Sequence, residues 1–269
     1  MKILLFVADR PFSKAVASYT AILAEATQAS VTMLYVASDQ EGLRDGEYDL
    51  SQTHRLIPQV QVEECLECGD AIEKLLEVIR KDKYDLVVVG ARRGLGYFQR
   101  KFQSLTKRVI QKSPIPVLMV RYPKRKIKRI LICTGGMDVS DRVVEVGAKL
   151  AKAANADVKL LHITDVVPSM YTGLEVMQED LASLLDSATP LGEHLRGGAE
   201  ILNKYNVDAT IEVQSGTVVE NILQEARLFN YDLIVLGGSR AADSFTGWIS
   251  GNVTFQIVER SNRPVLVVR

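Results

Sequence analysis

The same short text occurs twice along the chain, as Tyr84-Asp85-Leu86-Val87-Val88-Val89-Gly90 and Tyr231-Asp232-Leu233-Ile234-Val235-Leu236-Gly237. Each copy runs on to a terminal Pro-Val-Leu-x-Val-Arg. Recurrence of this kind marks a duplicated structural unit, and each half then carries its own copy of any ligand site. A chain of 269 residues accommodates two such units, each large enough to close a core.

The rhythm around the repeat is that of an α/β protein. Residues 3–8 and 130–134 are β-type apolar runs. Helical periodicity follows in Ala15, Val16, Tyr19, Ile22 and Leu23, and again in Val143, Val144, Val146, Gly147 and Leu150, with Ser13 and Ser140 at the N-cap positions. Strands are expected at 31–37 and 158–164. A later block pairs Gly69-Asp70-Ala71-Ile72-Glu73 with Gly216-Thr217-Val218-Val219-Glu220, each reading as a helix start with an acidic residue shortly after the cap. Between these landmarks the second half is longer by about twenty residues, which places an insertion between Val166 and Asn206. Its amphipathic run, Leu174, Met177, Leu181, Leu184 and Leu185, fits a connecting helix packed on its own domain; a lid or a partner surface is the other reading. A basic linker, Tyr122 to Arg129, separates the halves.

Composition narrows the function classes. Thirty-three basic residues balance thirty-three acidic ones, so no overall field favours nucleic acid or an anionic membrane. The apolar start, Met1 to Ala8, is cut off by Asp9-Arg10-Pro11 and reads as a first strand of a cytoplasmic protein rather than a membrane span. Three cysteines make no disulfide framework, and Cys65 and Cys68 lie in an extended stretch where they point to opposite faces. No metal-ligating set is expected.

Strands alternating with helices predict parallel sheets with right-handed crossovers, and such sheets bind ligands beyond the carboxyl ends of their strands. The loops to inspect therefore follow Val7, Val36 and Val89, and Cys133, Ile163 and Leu236. The last of these is the richest, Gly237-Gly238-Ser239-Arg240 on to Gly251-Asn252-Val253-Thr254. A glycine turn lets backbone N–H groups approach a phosphate, and a second glycine opening the next helix would add the positive end of its dipole. Asn252 and Thr254 offer side-chain donors.

The repeated text, the glycine loop and the closing Asn262-Arg263-Pro264-Val265-Leu266-Val267-Val268-Arg269 together resemble the universal stress proteins, and the resemblance spans both halves, as in a tandem member. Members that bind ATP show Gly, two residues, Gly, nine residues, Gly, then Ser or Thr. Counted from Gly238, this chain has Ala241, Gly251 and Asn252 at the later positions, with Thr254 at a family hydroxyl facing the phosphates. Counted from Gly90, the first half has Arg93 and Gln103 in place of glycines, though Ser104 and Thr106 keep the hydroxyls. Relatives also carry an Asp at the end of the first strand, where this chain has Ala8 and Gly135. The backbone around Ile163 is where the resemblance implies that adenine is read.

The resemblance thus implies an adenine nucleotide, ATP, ADP or AMP, with Mg2+ only alongside ATP. The candidate residues are Thr134, Gly135, Gly136, Ile163, Gly237, Gly238, Arg240, Gly251, Asn252, Val253 and Thr254. The expected architecture is two flavodoxin-like domains of the adenine nucleotide alpha hydrolase-like kind, over residues 1–123 and 127–269, each a five-stranded parallel sheet with helices on both faces. Pairing of the edge segments Val117 to Arg121 and Val265 to Arg269 would make the two an intramolecular pseudo-dimer, with a homodimer as a further step. No Walker, nucleophile-elbow or zincin motif is present, and His54, His162 and His194 read as surface or strand residues, so catalysis beyond slow hydrolysis is not expected. The expected role is a stress-response regulator that binds nucleotide, against a nucleotide-free scaffold working through protein contacts.

Overall fold

The structure is a computed structural model that describes residues 1–7, 13–90, 97–135, 140–164, 181–238 and 245–269; the side chains of 13, 97–104, 140, 183 and 245–252 lie outside that description. By its internal contacts the chain divides into two compact units, Met1–Ile127 with Val258–Arg269, and Lys128–Ile257.

In the first unit the elements run β1 (Lys2–Val7), α1 (Ser13–Thr27), β2 (Ser30–Ala37), α2 (Gly42–His54), β3 (Val62–Cys68), α3 (Ala71–Lys81), β4 (Leu86–Gly90), α4 (Tyr97–Lys112) and β5 (Val117–Val120). The five strands are parallel in the order β3-β2-β1-β4-β5. The second unit repeats the scheme with β6 (Arg129–Thr134), α5 (Ser140–Ala154), β7 (Asp157–Thr164), α6 (Leu181–Asp186), α7 (Pro190–Lys204), β8 (Ala209–Ser215), α8 (Val218–Leu228), β9 (Leu233–Gly237) and α9 (Phe245–Arg260). Its parallel order is β8-β7-β6-β9. The last strand, β10 (Val265–Val268), lies antiparallel on β5, with Leu266 opposite Leu118, so the two Pro-Val-Leu-x-Val-Arg segments do pair. Arg121, buried at the end of β5, donates to the carbonyls of Glu259 and Ser261.

Central strands buried on both faces need continuous apolar text, and β1, β4, β6 and β9 supply it. The outer strands β3 and β8 are only half-buried and carry glutamates, which discourage pairing with another chain at an exposed edge.

The repeated Tyr-Asp has a structural purpose. Tyr84 and Tyr231 are buried at the start of β4 and β9. The carboxylate of Asp232 accepts from the N–H groups of Lys128 at 2.8 Å and Arg129 at 3.0 Å, while its own N–H donates to the Arg129 carbonyl. In the first unit Asp85 does the same with Lys2, accepting at 2.7 Å. Each aspartate therefore pins the first residues of the neighbouring central strand. The repeated glycine of the later block is equally specific, because Gly69 and Gly216 sit at φ of 132° and 139°, where an L side chain is strained. Their N–H groups bond the carbonyls of Ala37 and Thr164, closing the crossover onto the strand before it. Asp70 then caps α3 through the N–H groups of Ile72 and Glu73.

Among the described residues the insertion holds two helices, α6 and α7. Leu181, Leu184 and Leu185 of the amphipathic run fall in α6, whereas Leu174 and Met177 lie outside the described residues. Thr189 caps α7 through the Gly192 N–H, with Pro190 at the first turn. Gly192 and Gly198 are helical and serve close packing. A Cβ on Gly192 would collide with the Leu184 carbonyl, and one on Gly198 would stand 2.7 Å from Leu160 Cδ2.

In the second unit a charged group is buried between β7 and α8. Lys159 reaches Glu212 at 2.6 Å and the buried Glu225 at 2.7 Å.

Replacing Asp232 by Ala leaves two strand N–H groups without their acceptor and is expected to lower the unfolding free energy by about 1–3 kcal/mol. Asp85→Ala, at an exposed carboxylate, should cost less than half as much. Denaturant melts of the two variants check both values.

Candidate functional site

The pinned register decides what meets at the carboxyl ends of the second unit's strands. Ile130 lies opposite Leu233 and Cys133 opposite Leu236, so β6 and β9 end level, with Thr134 and Gly135 beside Gly237 and Gly238. On the other flank Thr134 pairs with His162, one residue before Ile163.

Thr134 is buried at the end of β6, and Gly135 is exposed beyond it. A Cβ built on Gly135 meets no atom of the described residues within 4 Å. Ile163 is buried in β7 and Gly238 is buried after β9.

Helix α9 arrives at this edge through Thr254, whose buried hydroxyl donates to the Gly237 carbonyl at 2.9 Å. The hydroxyl expected to face phosphates thus holds the helix against the end of β9. Gly251 also differs from expectation: α9 starts at Phe245, so Gly251 is not a helix-opening residue but lies in the second turn. An N–H at that depth belongs to the helical ladder rather than to the unpaired first turn. Gly251 and Asn252 are placed by backbone only, Val253 is half-buried beside them, and Gly136 and Arg240 lie outside the described residues. In the first half Thr106 is buried, while Arg92 and Arg93 lie outside the description and Gln103 and Ser104 are placed by backbone only.

The structure also assembles a pair of side chains that the sequence reading treated as unrelated. His162 and His194, from β7 and α7, bring their ring centroids to 5.5 Å. His162 Nδ1 stands 3.3 Å from the Thr134 hydroxyl, and the Thr134 backbone also hydrogen-bonds the ring. Burial, and then the neighbouring His194, push the His162 pKa below the usual imidazole value. Burial likewise lowers that of His194, opposed by the charge of Asp141. Both rings are therefore neutral near pH 7. One lies on β7 and the other inside the insertion, on α7, and no spacing rule would have joined them.

The cysteines are free thiols. Cys65 and Cys68 stand in β3, and the buried Cys133 is held far above its ordinary pKa by desolvation. Among the described residues no group of three His, Cys, Asp or Glu could hold a metal, and no described helix is long and apolar enough to cross a membrane.

Thr254→Val removes the donor to Gly237 while keeping the shape of the side chain. Loss of that buried bond is expected to cost about 1–2 kcal/mol and to loosen α9, read as faster amide exchange in its described turns than elsewhere in the second unit.

Comparison with known proteins agrees with this architecture. The pattern of the Universal stress protein family matches residues 1–121 and again 126–269. The chain is 26% identical over 151 residues to Universal stress protein MJ0531 of Methanocaldococcus jannaschii, covering 56% of this chain and 87% of that protein. It is 24% identical over 162 residues to Stress response protein NhaX of Bacillus subtilis, covering 52% and 97%. Among solved structures, a universal stress protein from Archaeoglobus fulgidus superposes with a TM-score of 0.72 at 18% identity, over 100% of this chain and 96% of that one. The protein PA1789 from Pseudomonas aeruginosa gives 0.70 at 13% identity, over 99% and 92%. With its family pattern matched twice in succession across nearly the whole length, the chain belongs to the universal stress protein family and carries two repeated domains of that kind.

Proposed function

We propose that the second domain binds an adenine nucleotide at the carboxyl edge of β6, β7 and β9, and that the protein acts as a cytoplasmic stress-response regulator through that binding. The observation that supports this reading is that β6 and β9 end level, which sets Thr134 and Gly135 beside Gly237 and Gly238, with no described residue within 4 Å of a Cβ on Gly135. A base and ribose would lie against Gly135, which carries no side chain of its own, and backbone N–H groups after β9 would face the phosphates. Thr134, Gly135, Gly136 and Ile163 would border the nucleoside. Gly237, Gly238, Arg240, Asn252 and Val253 would border the phosphates, with Thr254 fixing the helix that carries the last two. Mg2+ would enter with ATP, on the phosphate oxygens. This reading assigns binding and no catalytic residue.

One observation favours a second reading, a nucleotide-free scaffold. Gly251 sits inside α9 rather than at its N-terminus, which removes one set of donors that the glycine spacing had suggested. The scaffold would use the α6–α7 insertion for partners.

Mass spectrometry of small molecules released from the purified chain, followed by calorimetric titration of ATP, ADP and AMP, separates the two. The expected result is one nucleotide per chain. Gly251→Gln, which copies the residue of the first half, should weaken it at least tenfold with the melting temperature retained. Absence of any released nucleotide, and of heat up to millimolar concentrations, would leave only the scaffold.

A further inference from the structure

We propose that His162 and His194 form a binding site for a divalent transition-metal ion, Zn2+ or Cu2+, on the α5–α7 side of the second domain. The proposal does not rest on nucleotide binding.

The geometry is that of a two-nitrogen chelate. Two imidazole nitrogens about 2.1 Å from one ion, at a tetrahedral angle, leave their ring centroids about 5 Å apart. The observed separation is 5.5 Å, with the rings inclined at 60° rather than stacked face to face. His162 is oriented as a metal ligand commonly is. Its Nδ1 faces Thr134, and a neutral ring that donates from Nδ1 presents its lone pair at Nε2. On the opposite ring, Nε2 of His194 is buried and has no hydrogen-bond partner among the described residues. A buried polar nitrogen left in that condition costs free energy, which a bound cation would recover.

The surroundings suit a cation. Asp141, on the first turn of α5, is the acidic group whose charge acts on His194. A third protein ligand is not needed for an open site, in which water fills the remaining positions. Imidazole ligands select Zn2+ and Cu2+ over Mg2+ or Ca2+, which favour oxygen.

The chain has three histidines, so the test is simple to read. His54 is the internal control, since it is exposed and its Nδ1 contacts Glu64 at 2.7 Å in the first unit. Zinc chloride is titrated into the metal-free full chain while imidazole nitrogen resonances are followed. Single variants His162→Gln and His194→Gln supply the assignments. The expected result is saturable binding of one Zn2+ per chain, with Nε2 of His162 and His194 shifting together and His54 unmoved. Each variant should weaken binding at least tenfold. With Cu2+ the wild-type electron paramagnetic resonance spectrum should show two coupled nitrogens, reduced to one in either variant. The wild-type spectra stand even if a variant fails to fold. Movement of His54 alone, shifts at none of the three, or copper coupled to fewer than two nitrogens in the wild type would overturn the proposal.

Discussion

The carboxylate of Asp232 decides where the second domain's site can be. By accepting from both Lys128 and Arg129 it fixes the residue at which β6 begins, and a parallel ladder started in one register ends in that register. A slip by one residue would reverse every side chain of β6 between the two faces and would carry Thr134 out of line with Gly237. Asp85 imposes the same condition on β1. The repeated Tyr-Asp is thus a registration device, and the glycine that closes the same text stands at the carboxyl edge of the sheet because the aspartate stands at the other end.

Much of this was legible before any coordinates. Apolar runs of five or six residues alternating with helical periods admit few arrangements other than a parallel sheet, and doubling the pattern doubled the constraint. The pairing of Val117 to Arg121 with Val265 to Arg269 followed from two short apolar edges in need of cover. Three features were not legible. Helix α9 begins at Phe245 although its first turns contain Gly247 and Gly251, poor helix formers that local propensity assigns to a loop. The glycines of α7 are poor helix formers too, and the sequence does not show that Leu160 and the Leu184 carbonyl approach Gly198 and Gly192 close enough to exclude a Cβ. The His162–His194 pair depends on how α7 lies against β7, a tertiary fact with no local signature.

The two domains share a fold but not a core chemistry. Along matched strands and helices, Lys159, Glu212 and Glu225 stand where the first half has Thr32, Cys65 and Val78. Val78 and Glu225 are about equally buried, at 6% and 4% exposure. A buried carboxylate survives there because Lys159 bonds it and Gln214 supplies a further donor. Such a group adds little net stability over an apolar equivalent, but removing one partner strands a buried charge, so it penalises misaligned packing of α8 on β7. Tyr231, its pKa pushed up to about 12 chiefly by burial, borders the same group and ties it back to the repeated Tyr-Asp.

Strand alternation then separates the uses of β7. Lys159, Leu161 and Ile163 point to the α8 face, whereas Leu160 and His162 point to the face covered by α5 and α7, as the contact of Leu160 with Gly198 shows. The ion group and the histidine pair therefore occupy opposite faces of a single strand. Thr134 connects the histidine face to the carboxyl edge of the sheet, since its backbone continues into Gly135 while its hydroxyl and backbone meet His162. A ligand that reorients the His162 ring must alter the hydrogen bonding of Thr134, the last residue of β6. Any coupling between a metal on the histidines and a nucleotide at the strand ends has Thr134 as its shortest route.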